Sequence, residues 1–240
     1  MVFSSMEFLF RFLPIFLVAY FLTKKAYRNI TLLIGSLIFY AYGEPVYVLL
    51  MIGSILVNHF IARRIQRFHS IEKASGIDCS FERKAWLVAA LVLDFGLLFL
   101  FKYVNFFIGV ANNIAGRQLI KEVALTLPLG ISFFTFQQVS FIVDRCQHKA
   151  EHYPFIDYVT FVTFFPQLVA GPIVLYKEMM PQFADKHLRS FNRENFAKGI
   201  ALFTLGLSKK VLLADVLALP VNYGFTNTAF LDSPSTLLVI

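Results

Sequence analysis

FVTFFPQLVAGPI, residues 161–173, carries no charge, yet it sets Pro166, Gln167, Gly171 and Pro172 close together. A proline inside a helix removes a hydrogen bond and clashes with the preceding turn, at about 3 kcal/mol or more. A buried soluble helix would not tolerate this stretch, and a plain membrane span would rarely use it. Its surroundings are apolar as well. Residues 158–176 hold no Asp, Glu, Lys or Arg, and the same is true of 45–62 and 123–143. About 20 mostly apolar residues cross a bilayer core, so each run is near spanning length. Of the 240 residues, 58% are hydrophobic and 15% charged, with a mean hydropathy of +0.66. Soluble domains carry about 25% charged residues, so this chain lacks the polar groups to cover a water-facing globule. The expected class is all-α: a polytopic transmembrane helical bundle with a broken or re-entrant segment near 155–176.

The net charge of +7 does not point to nucleic acid. Lys and Arg fall in short stretches between apolar runs, where topology signals reside. Cys79 and Cys146 form no pattern with each other or with histidines, so neither a disulfide framework nor a metal site is indicated. The start, MVFSSMEF, has no basic n-region and no small-residue cleavage site before Lys24. It reads as the beginning of a first span over 8–22 rather than a signal peptide.

Further along, 29–42 and 46–62 read as a helical hairpin around Gly43-Glu44-Pro45, because proline favours a turn there. A basic loop is expected from Arg63 to Lys84. The apolar pattern resumes at 85–101, continues to about Gly116, and returns at 123–143, 155–176 and 199–220. A second basic loop spans 177–198. If basic loops are cytoplasmic, 23–28 and 63–84 lie inside, while the N-terminus and the Gly43 turn lie outside. Simple alternation then puts 177–198 outside, although it is strongly basic. One segment must fail to cross. The candidate is 155–176, since broken backbone at membrane depth is tolerated where protein or a water-filled cavity surrounds it. A rival count makes 102–116 the non-crossing element.

Several polar groups sit where they are expensive. Asp94 lies midway along 85–101, where a carboxylate pairs with Lys102 or another helix, or faces a cavity. Gln137 and Gln138 are adjacent; one suits interhelical hydrogen bonding and the other the wall of a path. Asn58 and His59 are expected near an interface. Lys209, Lys210 and Asp215 interrupt the apolar run 199–220, and suit either snorkelling or an anion-facing wall. His69, His148, His152 and His187 fall in expected loops. There is no G-x-S-x-G, H-E-x-x-H, Walker loop or dinucleotide fingerprint.

LPLGISFFTFQQVSFIVD (127–144), FVTFFPQLVAGPIVLYKEMMPQF (161–183) and GLSKKVLLADVLA (206–218) resemble the membrane-bound O-acyltransferase (MBOAT) family. The start of the chain and the FYAYGEP turn resemble, more narrowly, its bacterial branch that O-acetylates alginate and related exopolysaccharides. The teichoic-acid D-alanylation protein is a more distant relative. The resemblance implies a ring of helices around a funnel and tunnel, with 1–240 a single membrane domain that forms the N-terminal half of a longer multi-pass inner-membrane protein. It implies an acyl donor, such as acetyl-CoA or an acyl carrier, arriving from the cytoplasm. The acceptor would be a polysaccharide or an acyl-accepting partner protein on the other side. Tunnel or donor-binding candidates are then Gln137, Gln138, Gln167, Lys209, Lys210 and Asp215. The family's catalytic histidine lies in a Trp- and Arg-rich segment after the Lys-Lys…Ala-Asp motif and is expected beyond Ile240. None of His59, His69, His148, His152 and His187 matches it. D-alanyl transfer to teichoic acid by a related MBOAT protein, a transport protein and a non-catalytic scaffold in polysaccharide export are the competing readings.

Overall fold

The computed structural model describes residues 3–147, 154–168, 171, 174–185 and 187–226, and the described residues contain helices and no strand. In chain order the helices are α1 (Leu13–Leu22), α2 (Arg28–Gly43), α3 (Tyr47–Ser75), α4 (Ser80–Leu98), α5 (Val104–Ala115) and α6 (Ile131–Cys146). Then come α7 (Phe155–Thr163), α8 (Phe165–Leu168), α9 (Tyr176–Ala184), α10 (Arg193–Ser208) and α11 (Asp215–Thr226). Three π turns, Phe8–Phe12, Phe99–Tyr103 and Lys209–Ala214, lead into α1, join α4 to α5 and join α10 to α11. The chain divides into two compact units, Phe16–Arg189 and a second made of Met1–Ile15 with Ser190–Ile240.

Among the described residues, two helices are long and apolar enough to cross a membrane: Tyr47–Ser75, and the continuous Ser80–Ala115. At 1.5 Å per residue the latter is about 54 Å long, well beyond a hydrocarbon core of about 30 Å. Residues 102–115 therefore continue from α4 through the π turn into α5 without leaving the helix. On α4 the valines and phenylalanines Val88, Val92, Phe95 and Phe99 are exposed, while Ala90, Asp94 and Leu98 are buried. The outer stripe is apolar and the inner one holds a carboxylate. That is the arrangement of a helix with lipid outside and polar groups inside.

The hairpin around Gly43 forms as expected, but the basic loop is much shorter than the sequence suggested. Arg63, Arg64, Arg67 and Lys73 are good helix formers, so α3 runs on to Ser75. It stops at Gly76, which takes a left-handed conformation (φ 70°). Only residues 76–79 then separate α3 from α4. The run 123–143 is also corrected. Pro128 disfavours helix in the residue before it and Gly130 is left-handed, so helix begins only at Ile131 and 123–130 is irregular.

The broken segment is broken by its own sequence. Phe164 leaves helical geometry (φ −55°, ψ 104°) and ends α7 after nine residues. The displaced Phe165 N–H donates to the Ser36 hydroxyl at 3.2 Å. Phe165 packs between Phe16 and Phe39, with ring centroids 5.3 and 5.2 Å away. The four-residue α8 follows, then Gly171, whose backbone N–H returns to the Gln167 carbonyl at 3.1 Å. A side chain on Gly171 would collide with the Gln167 backbone. Pro172 of the quoted stretch lies outside the described residues, as do His148, His152 and the terminal run 233–240.

Candidate functional site

Within Phe16–Arg189, α3, α4 and α6 pack on one another and α7 packs on α2. Helical spacing turns Ser54 and Asn58 to the inner face of α3. Asp94 on α4, Gln138 on α6 and Tyr158 on α7 face the same point, and all five side chains are buried. The Asn58 amide donates to Asp94 Oδ1 at 2.8 Å, to Gln138 Oε1 at 3.1 Å and to the Ser54 carbonyl at 3.2 Å. Gln138 Nε2 donates to Ser54 Oγ at 2.6 Å, and the Tyr158 hydroxyl donates to Gln138 Oε1 at 3.4 Å. Among the described residues, Asp94 Oδ2 and Asn58 Oδ1 accept no hydrogen bond. Buried oxygens without a donor are uncommon in proteins, so these two mark the polar centre of the unit.

Asp94 is thus partnered by another helix. Lys102 instead lies 5.4 Å from the centroid of the Tyr103 ring. Gln138 is the interhelical amide, and its neighbour Gln137 is buried with its carbonyl oxygen lacking a donor among the described residues. Gln167 is buried in α8. Asn58, expected at an interface, is instead the centre of the cluster.

A second polar node links the start of the broken segment to the far end of α9. The buried Asn29 amide donates both to Asp157 Oδ1 at 2.6 Å and to the Phe183 carbonyl at 3.1 Å. Beside it, Arg28 donates to the carbonyls of Thr23 (3.1 Å), Phe21 (2.9 Å) and Arg189. Arg189 in turn donates to the carbonyls of Lys25 (3.2 Å) and Phe183. The basic stretches around 23–28 and 183–189 are therefore in direct contact.

His69 sits in the last turns of α3, not in a loop, and it is buried. Arg83 Nη1 lies 2.8 Å from its Nδ1. A guanidinium can only donate, so the ring proton is on Nε2, which donates to the Arg145 carbonyl at 3.0 Å. Arg83 also pairs with Glu72 at 3.4 Å. His59 stacks against Phe155 and Tyr158, and His187 lies in an exposed turn.

Lys209, Lys210 and Asp215 belong to the other unit. They occupy the π turn after α10 and the start of α11, all exposed, with Lys210 and Asp215 paired. Asn192 caps α10 by accepting from the Asn195 N–H at 3.0 Å. Ser54, Asn29 and Tyr158 were not singled out from the sequence. A serine, an asparagine and a tyrosine in apolar helices give no local signal of the long-range bonds they make.

The profile of the membrane-bound O-acyltransferase family matches residues 90–239. The chain is 38% identical over 241 residues to a probable alginate O-acetylase AlgI of Pseudomonas aeruginosa, covering 98% of this chain and 43% of that protein. It is 34% identical to a peptidoglycan O-acetyltransferase of Helicobacter pylori in a 271-residue alignment covering 99% of this chain and 50% of that protein. A probable alginate O-acetylase AlgI of Azotobacter vinelandii is 35% identical, with 98% of this chain and 45% of that protein covered. The chain thus spans about half the length of these curated relatives. No solved structure matches. The family match covers more than half of the residues, and the chain belongs to the membrane-bound O-acyltransferase family.

Proposed function

We propose that this chain is one membrane domain of a multi-pass inner-membrane enzyme that transfers an acetyl group to hydroxyls of an extracytoplasmic glycan. The observation that carries the reading is the likeness, over 98–99% of the chain, to proteins named as O-acetylases of alginate and of peptidoglycan. The acceptor is read as an exopolysaccharide such as alginate, delivered directly or through an acyl-accepting partner protein. The donor is read as a cytoplasmic thioester, acetyl-CoA or an acyl carrier.

The re-entrant reading of 155–176 rests on Asn29. One side-chain amide holds both Asp157, just inside the start of the segment, and Phe183, seven residues past its end in α9. A segment that enters and leaves on the same face requires that proximity, and the Arg28–Arg189 contact between two basic stretches agrees with it. A folded-back element supplies polar groups at membrane depth without exposing backbone to lipid. Gln137 and Gln167 are read as lining the passage; Lys209, Lys210 and Asp215, in the other compact unit, are read separately as donor-binding residues. Attack by a sugar hydroxyl on a thioester needs a base within hydrogen-bond reach and a passage that excludes water. The aromatic and amide interior described above serves the second need.

The test is complementation. The full-length protein is expressed in cells deleted for their own alginate O-acetylase, and in parallel cells deleted for their peptidoglycan O-acetyltransferase. Restored acetyl content in either glycan supports the reading. No acetyl ester in either, with the protein present in the membrane, sinks it.

A further inference from the structure

A cavity of about 200 Å³ opens at the end of the bundle where the C-terminal halves of α3 and α6 meet. Arg63, Gln66 and Arg67 stand at positions i, i+3 and i+4 of α3 and form its rim, all exposed. The buried Arg145 enters from the last turn of α6, its Nη1 donating to Gln66 Oε1 at 3.2 Å and its guanidinium lying 5.5 Å from the Phe141 ring centroid. Tyr158 and Tyr176, both buried, complete the floor. Among the described residues the wall contains three guanidinium groups and no carboxylate.

The sign of the site follows from magnitudes. The C-terminal end of α6 contributes about half a negative charge next to Arg145, and this influence fades within one turn. The end of α3, at Ser75, lies about 18 Å beyond Arg63 by helical rise. Three full positive charges dominate. Guanidinium forks match phosphate oxygens with two parallel hydrogen bonds. Size narrows the guest further. At about 30 Å³ per water the cavity holds roughly half a dozen waters, whereas pockets for whole small molecules run from about 300 Å³ upward. A phosphate or pyrophosphate group fits and a complete nucleotide does not.

We propose that the Arg63–Arg67–Arg145 cavity binds the phosphate group of a larger molecule whose remainder lies outside it, either a soluble phosphate ester or a phospholipid headgroup. This site is independent of whether acetyl transfer is the activity. The experiment uses the full-length protein in nanodiscs of phosphatidylcholine. One arm titrates inorganic pyrophosphate at constant ionic strength, and the other replaces part of the lipid with phosphatidylglycerol; thermal stabilisation is read in both. The variants are R63Q/R67Q, whose side chains are exposed, and Arg145→Lys, which keeps the charge and loses the fork. The control is R117Q/K121Q, which removes two positive charges elsewhere. The expected result is saturable stabilisation by at least one probe, weakened tenfold or more in R63Q/R67Q and Arg145→Lys but unchanged in the control. Stabilisation by pyrophosphate assigns a soluble source, and stabilisation by phosphatidylglycerol alone assigns a lipid. No stabilisation by either probe, or equal weakening in the control, overturns the site.

Discussion

Gly130 stands directly against the backbone of Leu168: a methyl group built on Gly130 would come within 2.7 Å of the Leu168 carbonyl oxygen. The contact joins LPLG (127–130) to FPQL (165–168), two stretches 38 residues apart in sequence. Gly130 also has φ +70°, which costs a residue with a side chain about 1–2 kcal/mol. Gly130→Ala is expected to lose at least about 2 kcal/mol, read as a fall in melting temperature in detergent. Gly53→Ala, where nothing lies within 4 Å of the added methyl, serves as the control. It should be neutral or gain up to about 1 kcal/mol from helix propensity.

Asn29 supports the fold-back with two hydrogen bonds, one of them to a carboxylate. Its replacement by alanine leaves the buried Asp157 without that donor and should cost about 3 kcal/mol. The loss should be local first. A cysteine introduced near Arg189 is expected to react faster with a membrane-impermeant maleimide added from the cytoplasmic face in Asn29→Ala than in the parent. Labelling only from the outside in both proteins would defeat the re-entrant topology.

Asp94 brings one oxygen to Asn58 and leaves the other without a donor among the described residues. Asp94→Asn removes the buried carboxylate and keeps an acceptor for Asn58, so stability should equal or exceed that of the parent. Asp94→Ala removes the shortest of the three hydrogen bonds made by the Asn58 amide and should cost about 1 kcal/mol. If Asn proves as damaging as Ala in thermal melts, the carboxylate itself is required by a partner this geometry does not supply.

Asp78, one residue before the Cys79 N-cap of α4, accepts from the Ser80 backbone N–H at 2.8 Å and from its hydroxyl at 3.0 Å. These bonds, the backbone one first, hold the carboxyl below its ordinary range. A lowered carboxyl pKa contributes stability that is complete above the unfolded value of about 3.9 and disappears as pH falls through the folded one. The melting-temperature gap between the parent and Asp78→Ala should therefore be constant from pH 5 to 8 and shrink at more acidic pH. A gap that does not change with pH would mean that the charge of Asp78 is irrelevant to these bonds.

Lys210 and Asp215 form an exposed pair, and such pairs contribute about 0–1 kcal/mol. A K209A/K210A variant of the full-length protein should consequently melt within a few degrees of the parent. Glycan acetylation at equal expression should nevertheless fall several-fold if these lysines face the donor. Unchanged acetylation removes them from the site.

Legibility from sequence followed the physics of each signal. Proline and glycine punctuate the backbone locally, so the Gly43-Glu44-Pro45 turn and the break at Phe164–Pro166 could be read directly. Charge is ambiguous in a way that proline is not. Arg63, Arg64 and Arg67 suit a cytoplasmic loop and a helix extending beyond the lipid equally well, and only Gly76 marks the true stop. Asn58 looked interfacial because His59 and Arg63 follow it. Helical phase, which puts Asn58 with Ser54 and opposite Arg63, was the better guide. Asn29, Ser54 and Tyr158 act through residues 20 to 154 positions away, and no local pattern encodes such a distance.

The π turn at Phe99–Tyr103 has a rotational consequence. In an unbroken α-helix each residue advances about 100°, so Asp94 and Asn105, eleven positions apart, would point within about 20° of each other. One extra residue in the spiral swings Asn105 about a quarter of a circle away from Asp94. There it clasps both backbone groups of Val123, donating at 2.8 Å and accepting at 2.9 Å. The turn thus acts as a phase shifter between a buried carboxylate and the clasp that secures the chain before α6. Excising Leu100 would remove the extra residue and leave ten steps of about 100° between Asp94 and Asn105, so Asn105 would keep its azimuth and its hold on Val123.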